Sequence, residues 1–584
     1  MKILFFAPHS AIWVHAFPEA LVAESLATAG HEIVYVGCGR RLRDHCVPMS
    51  AHRIAYDAGD EMKSQICKKC ENAESTIRKG FGFRGGTLND WLSPEDEVVA
   101  DEVSVRMSAN TALETCLHGV EVGRIALYEV LLGTKKTGLD GFTPGDWQRY
   151  RSSVRNVVRA LLVVRRVVAM EQPDRIVTYN SLYGVNHAAS RYCELNGIPA
   201  VFLHAGMNLS HRLATLLVGR GTTVRFYGSL LERWETERDQ PRSPHLLSRV
   251  TDHFLELLRG RSVFAYSAAH TSNLSSLRSR LGIPENKRVI VATMSSPDER
   301  YAGEIVGAMK AAPSLAFASQ IDWILATLAW VSGRPDVFLV VRVHPREFPN
   351  KRETVASEHA QRLREVLETL PSNAIVNWPE DQLSLYDLAG VADIFLNAWS
   401  SAGKEMSLLG IPVVTYTPEL LFYPPDLNYA VRNEADYFLA IERALEDGWN
   451  EDRVRAAYRW CVLEFELAPF DLSAAYPQAD RAGLGPVVRR VAERVLAHVG
   501  GGAAFWFDCR MRRRLPESDS IVRVVTGAHD TRFDFEQSRN AVSREAETAG
   551  LRREVRRLST ALFPSSSGDT GSLLQSQLLA FAEG

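Results

Sequence analysis

The chain of 584 residues contains no uninterrupted run of roughly 20 apolar residues, the length a membrane-crossing helix needs. The apolar stretch LLVVRR at 161–166 is broken by arginines. The start, MKILFFAPHS, has neither the apolar core nor the cleavage site of an export signal, so it reads as a first strand and the expected location is cytoplasmic. Cysteine is sparse, eight in all, which without a secretory signal argues against a disulfide framework. Charge of one sign is lacking too: 67 Lys and Arg stand against 70 Asp and Glu, a net −3. That balance gives no global reason to expect nucleic acid as a partner. No internal repeat is visible beyond a likeness of architecture between two halves. What is present is ordinary globular composition, 46% hydrophobic and 23% charged, in a chain too long for one core.

The first part opens with a strand at Lys2–Ala7, a helix from about Ala16 to Ala29 stopped by Gly30, and a strand at Glu32–Val36. Residues 60 to 150 read as an irregular insertion in which GFGFRGGTLND is turn-rich, and a long helix follows over about 146–170. DRIVTYN at 174–180 and IPAVFL before His204 restore the strand pattern. A second α/β unit then places strands at 288–293, 337–343, 374–378, 393–398 and 412–416. The expected fold class is α/β: two Rossmann-like doubly wound domains, 1–275 and 276–470, facing a central cleft. A helical and flexible extension follows at 471–584, with an amphipathic helix at 485–498 and a linker at 563–572. In such sheets ligands bind beyond the carboxyl ends of the strands.

Three second-domain loops leave strands at that edge. TMSSPDER offers Thr293, Ser295 and Ser296; HPRE offers His344, Pro345, Arg346 and Glu347; WSSAGKE offers Ser400, Ser401 and Glu405. Hydroxyls, an imidazole, a guanidinium and the N–H groups of a helix start suit a phosphate, and a carboxylate one turn into the helix suits ribose hydroxyls. Plainer roles are open to the same residues. Ser401 can cap its helix, although Lys404 rather than an acid stands at the capping-box position, and His344 before Pro345 can simply end a strand.

RVHPRE and WSSAGKEMSLLGIPVV, in this order, resemble motifs of bacterial capsule and lipopolysaccharide glycosyltransferases of GT-B architecture, above all the family of capsule Kdo transferases. ICKKC, VGRIALYE and TYNSLYGVNHAASRYCELNGIPAVFLHAG in the first half resemble proteins of surface-polysaccharide clusters. The resemblance implies a transferase passing a sugar from a nucleotide-sugar donor, CMP-linked donors included, to a glycan or lipid-linked glycan acceptor. His344 and Pro345 would form the phosphate-binding turn, Ser400 and Ser401 the second phosphate contact, and Glu405 the ribose contact. Lys404 and Met406 depart from the small or apolar residues commoner there. No cofactor or metal is expected to be required.

A metal-independent transfer needs a first-domain base for the acceptor hydroxyl. His9, His15 and His204 follow first-domain strands and are the candidates; Glu19 is set behind them because helix geometry is expected to turn it toward solvent. Each histidine has an alternative structural or substrate-positioning role. Cys67 and Cys70 form a CxxC that would need Cys38, Cys46 or His45 to complete a zinc site; buried or reduced thiols are the plainer reading. RRLRD at 40–44 and MRRRL at 511–515 are basic runs, the second a point of contact with an anionic membrane face or assembly partner, or simply exposed surface. Other functions the same architecture serves are a CDP-polyol phosphotransferase, a sugar-nucleotide epimerase, and a non-catalytic glycan-binding or scaffold protein of an assembly complex.

Overall fold

A computed structural model describes residues 1–271, 277–309, 315–350, 353–476, 503–532, 542–564 and 572–584. The helix expected over 485–498 lies outside the described residues, as does most of the linker expected at 563–572. Two sheets organise the molecule. The first contains β1 (Lys2–Phe6), β2 (Glu32–Gly37), β3 (Arg84–Thr87), β4 (Arg175–Tyr179), β5 (Ala200–Ala205) and β6 (Thr215–Arg220). The second contains β7 (Arg288–Thr293), β8 (Val337–Arg342), β9 (Ala374–Asn377), β10 (Ile394–Asn397), β11 (Val413–Thr415) and β12 (Tyr429–Ala430), and β13 (Phe470–Asp471) returns to the first sheet.

The strand orders are β13-β6-β5-β4-β1-β2-β3 and β12-β11-β10-β7-β8-β9. Strands β1 to β5 run parallel in the first sheet, β6 is antiparallel to both of its neighbours, β5 and β13, and the second sheet is parallel throughout. Both are doubly wound orders, as expected from the alternation of buried runs and amphipathic helices. VFLVVR of β8 is buried at every position, the mark of a parallel strand covered on both faces. Each such aliphatic side chain contributes about 1.5–3 kcal/mol by leaving water. Among the described residues no helix is long and apolar enough to cross a membrane.

Region 60–150 is more ordered than its sequence suggests. Asp60–Phe81 is a 22-residue helix, and within GFGFRGGTLND lies not a turn but the edge strand β3. Glycine hides it: β-carbons would favour a strand, yet a Cβ on Gly85 (φ +128°) would sit 2.2 Å from the Tyr35 carbonyl oxygen, so this close approach of β3 to β2 excludes side chains. The chain then crosses to the second sheet through helices Thr223–Glu237 and Pro244–Arg259 and crosses back after helix Glu451–Val462. Residues 503–532 pack on the first domain, where helix Ser518–Thr526 meets helix Trp13–Thr28 and β6.

Candidate active site between the two sheets

Because β7, β8 and β10 are adjacent and parallel, their carboxyl ends open on one edge and bring the three expected loops together. His344 ends the β8 loop and caps the short turn Pro345–Glu347. Pro345 has no N–H, so the first donor of that turn is the Arg346 N–H, 3.3 Å from His344 Nδ1; the Ser296 hydroxyl lies 3.0 Å from the same nitrogen. With Nδ1 accepting, the proton of the neutral ring is on Nε2. Burial, reinforced by Arg346, Arg342 and Lys135, lowers the His344 pKa to about 3. The ring is therefore a neutral N–H donor across the physiological range.

The other expected contacts divide. Ser400 and Ser401 line the same cavity as His344, Pro345, Thr293 and Glu405. Ser401 donates to Glu405 Oε1 at 2.7 Å and Tyr386 to Glu405 Oε2 at 3.0 Å, while burial raises the Glu405 pKa. Ser400 donates to Asn397 and accepts the Ala402 N–H at 3.3 Å, so one N–H of the helix Ala402–Leu408 is already engaged. Thr293 spends its hydroxyl on Leu396 and Asn397, joining β7 to β10. Ser295 accepts the Trp399 N–H and stands behind the cavity, and Ser296 supports His344.

Arg346, expected on the phosphate, is placed elsewhere. Its guanidinium, 2% exposed, pairs with Asp298, reaches Glu299 at 3.2 Å and Glu353 at 3.4 Å, and donates to the first-domain carbonyl of Leu132 at 3.1 Å. A turn of three residues swings consecutive side chains about 120° apart, so adjacency to His344 in sequence does not carry Arg346 into the same cavity. Lys135, 1% exposed, completes the junction by donating to the carbonyls of Arg346, Phe348 and Val355. Glu347 is turned inward under the Ser357 hydroxyl, and burial pushes its pKa up to about 7. Arg346→Met is expected to cost about 3 kcal/mol, because Asp298 is left buried and unpaired, and adding Asp298→Asn should recover part of that loss in urea denaturation. Full stability of the single variant would refute the junction.

The cavity, about 220 Å³, is walled by both domains. Four of its residues were not among the expected contacts, and of these only Arg342 belongs to a quoted motif, RVHPRE. Arg212, from the loop before β6, lies over the Phe264 ring at 4.5 Å. His253, alone on an apolar helix face, accepts the Leu209 N–H on Nδ1 at 3.0 Å, and burial holds its pKa well below the ordinary imidazole value. It is a second neutral ring with its proton on Nε2. Arg342 closes the end of β8 and donates to Asn377 at 2.6 Å. Phe465 comes from the π-helical turn Leu463–Leu467, an arrangement common at functional sites. That turn also aims Glu464 at Lys404, 2.5 Å away. Burial works against the Lys404 ammonium, but Glu464 outweighs it and holds the pKa above the usual lysine value. The departure of Lys404 from the resembling motif thus has its compensating acid 60 residues downstream.

In the first domain His15 stacks on Tyr179 at 4.2 Å, and Tyr179 on His204 at 6.4 Å. Burial first, then His204, His9 and Arg212, takes the His15 pKa to about 3; burial and Arg212 take that of His204 to about 4. His9, edge-on to Tyr183 at 5.3 Å, lines a separate small pocket with Glu129 and Arg149. The structure thus groups His15 and His204 around Tyr179 and within the field of Arg212, while His9 faces the neighbouring pocket. Glu19 is not turned to solvent: it is 3% exposed, and burial raises its pKa well above the carboxylate range. The helix Trp13–Thr28 lies flat on the sheet there, so this position faces the core. Cys67 and Cys70 pack with Ala11, Met49 and Ile66, and burial pushes the Cys38 thiol up to about 12. Among the described residues no group of three or more His, Cys, Asp or Glu side chains is poised to hold a metal.

No family model matches the sequence, and no curated protein matches it. Solved structures do overlap with the fold. The beta Kdo 2,4 transferase KpsC of Thermosulfurimonas dismutans is 15% identical, covering 55% of this chain and 87% of its own, with a TM-score of 0.33. The glycosyltransferase SnogD from Streptomyces nogalater is 14% identical over 80% and 95%, TM-score 0.24. The UDP-GlcNAc 2-epimerase from Methanocaldococcus jannaschii is 11% identical over 79% and 98%, TM-score 0.25. At these scores the overlaps decide nothing about the reaction, and the chemistry is read from the cavity itself.

Proposed function

We propose that the protein is a glycosyltransferase that holds a nucleotide-sugar donor against the second sheet and a glycan acceptor against the first. The observation that carries this reading is the charge and donor pattern of one inter-domain cavity. His344 and His253 are fixed as neutral Nε2–H donors, Arg212 and Arg342 supply positive charge, and Glu405 is the carboxylate beside them. Such a cavity favours a group that becomes more negative as it leaves, which is what a nucleotide phosphate does when its bond to the sugar breaks. Lys404, neutralised by Glu464, contributes position more than net charge.

Deprotonation of the acceptor hydroxyl falls to the first-domain histidines. His15 is the closest in character, since its Nδ1 is buried with no hydrogen-bond partner among the described residues. Its depressed pKa makes it a weak base in the empty site, and a donor phosphate brought near it would raise that value. The place in bacterial surface-polysaccharide synthesis, and a CMP-linked donor as the first to try, rest on the resemblance of RVHPRE and WSSAGKE.

The test is a screen of CMP-, UDP-, GDP- and CDP-linked sugars for thermal stabilisation and for acceptor-dependent nucleotide release. One nucleotide class is expected to stabilise the protein and to be released on adding acceptor. Epimerisation of the bound sugar without transfer would replace this reading with the epimerase, and failure of every nucleotide to bind would leave a scaffold. Arg212→Ala is expected to raise the donor KM about tenfold to a hundredfold, the worth of one charged hydrogen bond. An unchanged KM would remove Arg212 from the site.

A further inference from the structure

Helix Ala503–Met511 has two faces. Phe505, 7% exposed, stacks on Trp13 at 4.3 Å; Asp508 accepts the Trp13 indole N–H at 2.7 Å; Cys509 is buried beside Gly80; and Arg512, just past the helix, pairs with Glu24 and lies 4.0 Å over Phe81. These positions recur at intervals of three and four, so they form one side that is fixed to the first domain. The opposite side carries Trp506, 60% exposed, Phe507, 37%, and Met511, 52%. Interleaved with them and directly after them stand the exposed Arg510, Arg513 and Arg514, and exposed Lys79 lies beside the Gly80 contact.

We propose that this face docks on an anionic phospholipid surface. Three large apolar side chains held in water on one short helix are costly unless something covers them. A helix whose outer side presents tryptophan, phenylalanine and methionine with arginines at the same level has the side chains that settle in the headgroup layer of a bilayer. The arginines select the occupant: a neutral protein surface would gain little from them, whereas an anionic bilayer is attracted to each. The buried side of the helix supplies the rigidity, since Trp13, Phe505 and Asp508 fix its orientation before any lipid is met. This inference is independent of the transfer reaction.

The experiment is sedimentation of the full-length protein with vesicles of phosphatidylcholine alone and of phosphatidylcholine mixed with phosphatidylglycerol, with circular dichroism to check each fold. The wild type is expected to sediment with the mixed vesicles and to stay in solution with phosphatidylcholine. Arg510→Ala with Arg513→Ala should weaken binding about thirtyfold, at about fivefold per arginine, and raised salt should weaken it likewise. Trp506→Ser with Phe507→Ser should abolish it. No sedimentation of the wild type with the mixed vesicles overturns the proposal, as do folded variants that bind like the wild type. Self-association that depends on Trp506 and Phe507 without vesicle binding also overturns it, by assigning the face to a second copy of the chain.

Discussion

Replacing His344 by alanine is expected to lower kcat/KM by about two to three orders of magnitude, the usual cost of losing one fixed donor to a developing anion. The physical basis is the double hold on Nδ1 by the Arg346 N–H and Ser296, which fixes both tautomer and ring plane. Preorganisation of this kind removes the reorganisation that water would need at the moment of bond cleavage. His344→Gln should recover part of the activity because an amide N–H can reach the same ligand. The fold should survive either change, since the ring lines the wall of the cavity rather than a packed apolar core. Two further readings follow from the neutral state of the ring: the donor KM should show no inflection between pH 6 and 8, and His253→Ala should add to the loss. Near-normal turnover by the folded alanine variant would sink the assignment.

Acid is expected to destabilise the protein well before its surface carboxylates titrate. His9, His15, His204, His253 and His344 are neutral when folded, held by burial far below the ordinary imidazole pKa. Unfolding releases them to titrate near 6.5, so between pH 6.5 and about 4 the unfolded chain binds more protons. Stability from these groups is complete above pH 6.5 and declines as pH falls, by about 1.4 kcal/mol per pH unit for each. The buried carboxyls oppose this. Burial raises Glu19 well above its ordinary value, and Glu74, Glu129 and Glu347 to about 7; they carry protons when folded, so their contribution is present at low pH and is lost as pH rises through 4.5 to 7. The balance favours the imidazoles once His45, His187 and His359, all lowered to about 4, are added. A fall on the order of 5 kcal/mol between pH 7 and 5.5 is expected from urea denaturation. A flat profile over that range would show that the imidazoles do not outweigh the buried carboxyls.

The sequence made the second sheet legible because its strands are continuous buried runs between amphipathic helices, and three loops at one edge followed from that order. It was less informative wherever a residue's role depends on a distant partner. The edge strand β3 is masked by Gly85 and Gly86, and the two-residue β13 is too short to show a period. Arg346 looked like a ligand because it follows His344, and only the turn geometry and the distant Asp298 and Leu132 reveal its structural place. His253 sits on a helix face that reads as core, and Arg212 belongs to no motif. Both enter the cavity solely through the way the two domains meet. Lys404 and Glu464 form a pair that no local pattern announces.

Among the described residues the chain joins the two halves through Pro244–Arg259 and through the π-helical turn into β13, and after residues 503–532 have packed on the first domain, helix Arg544–Leu562 packs back on Pro244–Arg259 and pairs Glu547 with Arg459. Lys135, from the first domain, grips the carbonyls of Arg346, Phe348 and Val355 in the loop that begins at His344. Any shift of the first domain that pulls Lys135 away must disturb the turn whose Arg346 N–H orients the His344 imidazole, so the setting of that ring depends on how the two domains meet.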